Sequence, residues 1–219
     1  MSETPHQHDE NSKTTAGLAD ATEKRIETEK GGAFIASAAD FIRTVIIVFA
    51  LATILRVFIV QPFVVEGSSM VPRFETNDYL VVDKISYRVS APERGDIIVF
   101  HYPNQPTINY VKRIIGLPGE RVRIENNIVT VFNTENPQGF TVNESIYLQP
   151  SVVTAIPGTG SKEVVVTDNN YFVMGDNRPA SSDSREWGLL PRENIIGRVV
   201  FQAFPLARAS FISHARYNE

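Results

Sequence analysis

The sequence predicts a mostly β chain. An antiparallel β-sheet domain over 61–219, barrel-like or sandwich-like, is preceded by one transmembrane helix over 41–60 and a polar tail over 1–40. Three observations predict it. An apolar stretch near the N-terminus has the length of a membrane span. Beyond it, short β-rich runs recur between Gly, Pro, Asn and Asp. After residue 61 no long stretch repeats its apolar residues every 3.6 positions, so no long helix is expected there.

Composition sets the outer bounds. The chain has 219 residues, 42% hydrophobic and 21% charged, which is ordinary globular usage. At roughly 150 residues per domain that is one folded domain with appendages. A net charge of -4 gives no reason to expect nucleic acid as a partner. There is no cysteine, so disulfides, thiolate metal sites and cysteine nucleophiles are excluded. That absence suits either side of a bacterial membrane.

Residues 1–32 are polar, with Leu18 and Ile26 the large apolar exceptions. Such a segment buries too little surface to offset its ordering entropy, and it reads as a disordered tail. His6 and His8 within it read as solvated rather than as a metal site. The next segment, AFIASAADFIRTVIIVFALATILRVFIV, changes character. Residues 41–60 number about twenty, the length a helix needs to cross ~30 Å of hydrocarbon. Arg43 and Arg56 sit near the two ends, where their stems carry the charge to the interface. A cleaved leader fits less well, because the run lies far from the N-terminus and no small-x-small site follows. A buried amphipathic helix is the other alternative. Lys24, Arg25, Lys30 and Arg43 precede the uncharged run, so the positive-inside bias places the N-terminus in the cytoplasm and the domain outside.

The remainder reads as strands. Phe63-Val64-Val65 is short and apolar. Tyr79 to Val82 follows the turn signal Asn77-Asp78. Ile97 to Phe100 is apolar at every position and so reads as a strand buried on both faces. Tyr110–Ile115, Arg121–Ile124, Ile128–Phe132, Val164–Thr167 and Tyr171–Met174 are further candidates, and no internal repeat is found.

Common catalytic signatures are missing: no H-E-x-x-H, P-loop, G-x-G-x-x-G, G-x-S-x-G or S-x-x-K. Three clusters remain. The first is Gly67-Ser68-Ser69-Met70-Val71-Pro72, where a serine on a tight turn could sit beside backbone N–H groups. Gly67, lacking a side chain, would let a substrate backbone approach. The plain alternative is a strand-to-turn corner whose serines satisfy their own backbone. The second is Tyr110 to Gly119. On a strand, Tyr110, Lys112 and Ile114 share a face and Arg113 points the other way. A lysine held among apolar neighbours loses hydration of its ammonium, its pKa falls, and near 7–8 it becomes a competent base. A snorkelling lysine on a half-exposed strand is the alternative. The third runs from Gly175 to Arg185. There Asp183 and Arg185 alternate so as to pair on one side of an extended segment, and a serine could orient a lysine.

Taken together, from about Arg56 to Val200, these clusters resemble the motif boxes of bacterial type I signal peptidases, which are Ser-Lys proteases. Arg56 to Phe63 resembles the family's link from anchor to catalytic domain. Gly67 to Pro72 resembles the nucleophile box and places the nucleophile at Ser69. Arg94 to Phe100 and Tyr110 to Gly119 resemble the box that carries the catalytic lysine, Lys112. Gly175 to Arg185 resembles the last box, in which Ser181 orients Lys112 while Asp183 and Arg185 form a structural pair beside Gly175. The resemblance implies a β fold of the signal peptidase and repressor-autoprotease type. It implies shallow substrate pockets at Phe63, Val65, Met70, Phe74, Val99, Tyr110 and Val111, each of which also reads as ordinary core. No metal or cofactor is implied. The implied partners are secretory preproteins with small residues before the cut, membrane lipid and the secretion translocon, and the implied location is the plasma membrane.

Two departures from the family pattern stand out. Many members have threonine after the proline of the nucleophile box, where this chain has Arg73. Some have serine two residues before the nucleophile, where this chain has Gly67, so the oxyanion hole would rest on the Ser69 N–H and a further donor. The alternatives are a repressor-type autoprotease, a Ser-His enzyme using His101, and an inactive anchored β domain that binds partners. The absence of a DNA-binding segment argues against the first.

Overall fold

The structure, a computed structural model, describes residues 40–53, 60–149, 151–156, 160–213 and 217. Residues 40–53 form a helix, α1, which is a unit separate from the β domain. Among the described residues no helix is long and apolar enough to cross a membrane. The span expected over 41–60 needs residues 54–59, and these, like the tail up to residue 39, lie outside the described residues.

The β domain is built from two antiparallel sheets. The larger contains β1 (Val60–Val64), β2 (Tyr79–Asp83), β3 (Ile97–His101) and β4 (Asn109–Gly116). The smaller contains β5 (Arg121–Glu125), β6 (Ile128–Phe132), β7 (Phe140–Thr141) and β8 (Ser161–Val165). The chain then returns to the larger sheet with β9 (Asn170–Met174), β10 (Leu190–Pro191), β11 (Ile195–Phe204) and β12 (Ser210–Phe211). The eight-stranded order is β1-β2-β11-β3-β4-β9-β10, with β12 on β11, and the four-stranded order is β7-β6-β5-β8. Two four-residue helices, α2 (Ser86–Val89) and α3 (Ser184–Trp187), sit in connections.

The pattern of β3 explains the middle of the larger sheet. Ile97 and Val99 enter one apolar cluster, with Val65, Met70, Phe74 and Leu80, while Ile98 and Phe100 enter another, with Ile114, Tyr171 and Val173. Alternate residues of a strand face opposite sides, so an unbroken apolar run is what a strand covered on both faces requires. A third cluster joins Ile115, Phe172 and Met174 of the larger sheet to Val122, Ile124, Val129 and Val131 of the smaller one. Most expected strands form, with shifts of a few residues: the run at Val164–Thr167 pairs as β8 three residues earlier. The longest strand, β11, was not expected.

Candidate active site

Two elements next to each other in space set the site. β1 ends at Val64, and the chain turns through residues 67–73 before β2. Gly67 has φ +96°, a left-handed value that L side chains rarely adopt, and a Cβ there would meet nothing within 4 Å. Its role in the structure is therefore to make the turn. Phe74 N–H donates to the Met70 carbonyl at 2.9 Å and closes the turn. Met70, fully buried, pins it to the core, while Ser69 stays half-buried. β4 pairs with β3 on one side and β9 on the other, so Lys112 projects from the middle of a sheet with little freedom.

The geometry brings these residues together across 43 positions of sequence. Lys112 Nζ donates to Ser69 Oγ at 2.8 Å and to the Val111 carbonyl at 3.1 Å. It also lies 4.9 Å from the centre of the Tyr110 ring. Lys112 is only 3% exposed. Burial lowers its pKa to about 8, against the pull of Asp183 and Asp176 and with help from Arg185. The unfolded lysine holds its proton to about 10.4. Between that value and about 8 the unfolded chain binds the extra proton, so the folding cost of this group accrues as pH falls through the window and is fully present below it. It amounts to roughly 3 kcal/mol. The N–H groups of Ser68, Ser69 and Met70 donate to no acceptor among the described residues.

The segment Gly175–Arg185 braces this pair from behind. Asn177 N–H donates to the Ser69 carbonyl at 2.9 Å, and its side-chain amide donates to the Ser68 carbonyl at 3.0 Å. Asp176 receives a two-pronged ion pair from Arg113, at 2.8 and 2.6 Å. Asp183 and Arg185 do pair, through Nε at 2.8 Å and a terminal nitrogen at 2.8 Å. They do so on a helical turn, however, and not on an extended segment: Asp183 caps α3 by accepting from the Arg185 N–H. Its other oxygen accepts from the Gly175 N–H at 3.0 Å. Gly175 is a true close approach, because a Cβ there would lie 2.2 Å from Ser181 Oγ and 2.5 Å from the Ser69 carbonyl oxygen.

Two expectations need correction. The hydrogen bond expected from Ser181 to Lys112 is not made. The lysine donates elsewhere, and the buried Ser181 hydroxyl, which packs on Gly175, has no partner among the described residues. Phe74, expected in a substrate pocket, is 0% exposed in the core and off the cleft wall. The other six pocket residues, Phe63, Val65, Met70, Val99, Tyr110 and Val111, do line one cleft of about 670 Å³ with Ser69 and Lys112. Ala180 and Ser182, missed in the sequence, line it too. Asn177 and Asp176 were also missed, although they lie inside the third cluster; nothing in their spacing marks them as clamps. His101 is exposed at the end of β3 and lines a separate, smaller hollow. Among the described residues no three acidic or histidine side chains converge as metal ligands do.

A serine hydroxyl held by a buried amine of lowered pKa, beside unspent backbone N–H groups, has the parts a serine hydrolase needs: nucleophile, base and oxyanion donors. The comparisons agree on that class, and the chain is a hydrolase of the serine-protease kind. It matches the family model of signal peptidase, peptidase S26, over residues 38–204. It is 39% identical over 169 residues to a probable signal peptidase I-1 of Synechocystis sp., covering 74% of this chain and 80% of that one. It is 30% identical over 174 residues to signal peptidase IB of Staphylococcus aureus, covering 77% and 90%. A crystal structure of a signal peptidase I from Enterococcus faecalis shares 27% identity over 51% of this chain and 98% of that one, at a TM-score of 0.40. The chain belongs to the signal peptidase family, peptidase S26.

Proposed function

We propose that this chain removes signal peptides from secreted preproteins through a Ser-Lys acyl-enzyme mechanism. The observation that carries the mechanism is the 2.8 Å contact between a buried Lys112 amine and Ser69 Oγ. With its pKa near 8, the lysine is neutral in a useful fraction of molecules at working pH. The neutral amine takes the Ser69 proton as Oγ attacks the scissile carbonyl, and the resulting oxyanion meets the Ser69 N–H and a further donor. The ammonium then gives its proton to the leaving amine, and water releases the acyl group by the same route. Asn177 holds the turn, and the Asp183–Arg185 pair holds α3.

The shape of the cleft supports the substrate. Its walls are Phe63 and Val65 of β1, Met70, Val99, and Tyr110 and Val111 of β4. β1 is an edge strand of the larger sheet, so an extended peptide can add beside it and drop alternate side chains into shallow pockets. That suits small residues before the cut. The membrane reading rests on α1. Phe41, Ile46, Val48, Phe49 and Leu51 are all more than half exposed, and a helix apolar on all sides needs a lipid or protein cover. We therefore propose residues 41–60 as a single-pass anchor in the plasma membrane, with the 1–40 tail in the cytoplasm and 61–219 outside. Bilayer lipid and the secretion translocon would then be neighbours.

The test is cleavage of a purified preprotein by the full chain in detergent. Ser69→Ala and Lys112→Arg should each fold and lose at least about a thousandfold in kcat. Arginine keeps the charge but cannot give up its proton. Wild-type kcat/KM should rise with pH through a midpoint of about 8. Substantial turnover by folded Lys112→Arg would remove the lysine from the mechanism.

A further inference from the structure

The nucleophile turn and β4 each face two ways. Ser69 and Met70 line the candidate active-site cleft, while Pro72 and Arg73 line a second, larger cleft of about 820 Å³. Lys112 belongs to the first and Arg113 to the second. The two elements are thus a shared wall with the dyad on one side and an arginine-rich hollow on the other. Arg208, next to the short strand β12, supplies the third guanidinium of that hollow.

The three arginines differ in how they are balanced. Arg113 is paired with Asp176, and Arg208 with Asp78 at 2.7 Å and Glu75 at 3.1 Å. Arg73 makes no ion pair among the described residues; its guanidinium lies 5.7 Å from the Phe74 ring centre. It is half-buried, and its pKa is lowered by that burial and by the like charge of Arg113, which the Asp176 carboxylate only partly offsets. Asp176 is spent on Arg113, so the half-buried Arg73 charge has no direct counter-ion of its own among the described residues, and a further anion beside it would be favourable. Each guanidinium has five N–H donors. Arg113 uses three, two on Asp176 and one on the Gly95 carbonyl, so donors remain on each arginine.

Three arginines on three separate elements, with Ser210 on the same lining, match an anion with several oxygens pointing different ways. A carboxylate offers two oxygens in one plane; a phosphate offers three or four around a tetrahedron. The hollow is far larger than one phosphate ion. Ile146 and Ile212 also line it, and Ile146 is 51% exposed, which suits a phosphate carrying an apolar body. We propose that the cleft behind the nucleophile turn binds a phosphate group, free or carried on a lipid head, with Arg73 as its principal contact and Arg113 and Arg208 as flanking donors.

The test uses the full chain in nonionic detergent and reads its melting temperature. Sodium phosphate should raise it by roughly 3–5 °C at tenfold excess over Kd, above sodium chloride at equal ionic strength. Arg73→Gln should weaken the phosphate response about tenfold, and Arg73→Lys, which keeps the charge but loses the fork, should fall between. Short-chain phosphatidylglycerol and phosphatidylcholine, below their micelle concentrations, separate the sources. A response to phosphatidylglycerol at concentrations where inorganic phosphate is silent assigns the site to a lipid head; an equal or stronger response to phosphate assigns it to the free ion. The proposal is overturned if phosphate and phosphatidylglycerol do no more than chloride. It is equally overturned if Arg73→Gln keeps the full response, or if phosphatidylcholine matches phosphatidylglycerol, which would reduce the effect to apolar binding at Ile146 and Ile212.

Discussion

The smaller sheet keeps its charges in water and its apolar residues inside. Along β5, Arg121 and Arg123 point out and Val122 and Ile124 point in; opposite them Glu163 of β8 receives both arginines on the surface. The larger sheet and its connections do the reverse. Lys112, Arg113, Asp176, Arg178, Asp183 and Arg185 are all buried, and the five besides Lys112 are held in ion pairs: Arg113–Asp176, Arg185–Asp183 and Arg178–Glu144. Buried ion pairs are a weak source of net stability, because desolvation offsets their attraction. What they supply here is position. Each fixes a backbone segment that touches Ser69 or Lys112, in a region dry enough to move a lysine's pKa. One sheet is built to fold, and the other also holds groups in states they would not adopt in water.

The largest effect should come from breaking a buried pair. Asp176→Ala leaves the Arg113 guanidinium buried with two donors unmatched, and should cost about 3–5 kcal/mol in urea denaturation. Replacing both partners with apolar residues, as in Arg113→Met with Asp176→Leu, should recover much of that loss. The milder Asp176→Asn should move the pH midpoint of activity below about 8, because Asp176 is one of the two carboxylates that favour the lysine's ammonium form. A loss under about 1 kcal/mol for Asp176→Ala would erase the contrast between the sheets.

Next in size is the tight contact at Gly175. In Gly175→Ala the new methyl would press on the Ser69 carbonyl oxygen at 2.5 Å and on Ser181. A backbone atom cannot swing aside as a long side chain can, so the turn that carries Ser69 has to shift. We expect about 1–3 kcal/mol of destabilisation and a larger proportional loss of kcat, about a hundredfold, since a displacement near 1 Å at reacting atoms has that effect. Unchanged kcat in the folded variant would mean that Ser69 is not held from this side.

How much of this was legible in the sequence follows the same division. β3, β5 and β6 announce themselves, because an unbroken apolar run and strict alternation each have one structural solution. β11 was missed although it is the longest strand. Its pairing slips between Val199 and Phe201 and again between Gln202 and Phe204, and each slip resets the two-residue period that a sequence reading depends on. In the candidate site, the pairing of Ser69 with Lys112 was legible through motif resemblance, and Asp183 and Arg185 were legible as a pair but placed in the wrong local structure. Phe74 was misplaced because core and pocket wall ask for the same residue type. The clamps at Asn177 and Asp176 depend on contacts across more than 60 positions, which no local pattern encodes.

The smallest effect should be found in the smaller sheet. Glu163 joins Arg121 at 2.8 Å and Arg123 at 2.5 Å, and the two arginines hold its carboxyl below the usual range. On distances alone this looks as strong as the Arg113–Asp176 pair. The difference is water: all three side chains are more than a third exposed, so solvent and salt screen the attraction, and the freed groups are rehydrated when the pair is broken. The two arginines also keep the Phe132 ring beneath them, at 4.1 and 4.8 Å. Glu163→Gln should therefore leave the melting temperature, kcat and the pH midpoint near about 8 where they were. Because the pair depends on an ionised carboxylate, any trace of stabilisation should be present at neutral pH, fade as the pH falls through the lowered value, and vanish in high salt. A drop in melting temperature comparable to that of Asp176→Ala would mean that distance, and not burial, decides what an ion pair does in this domain.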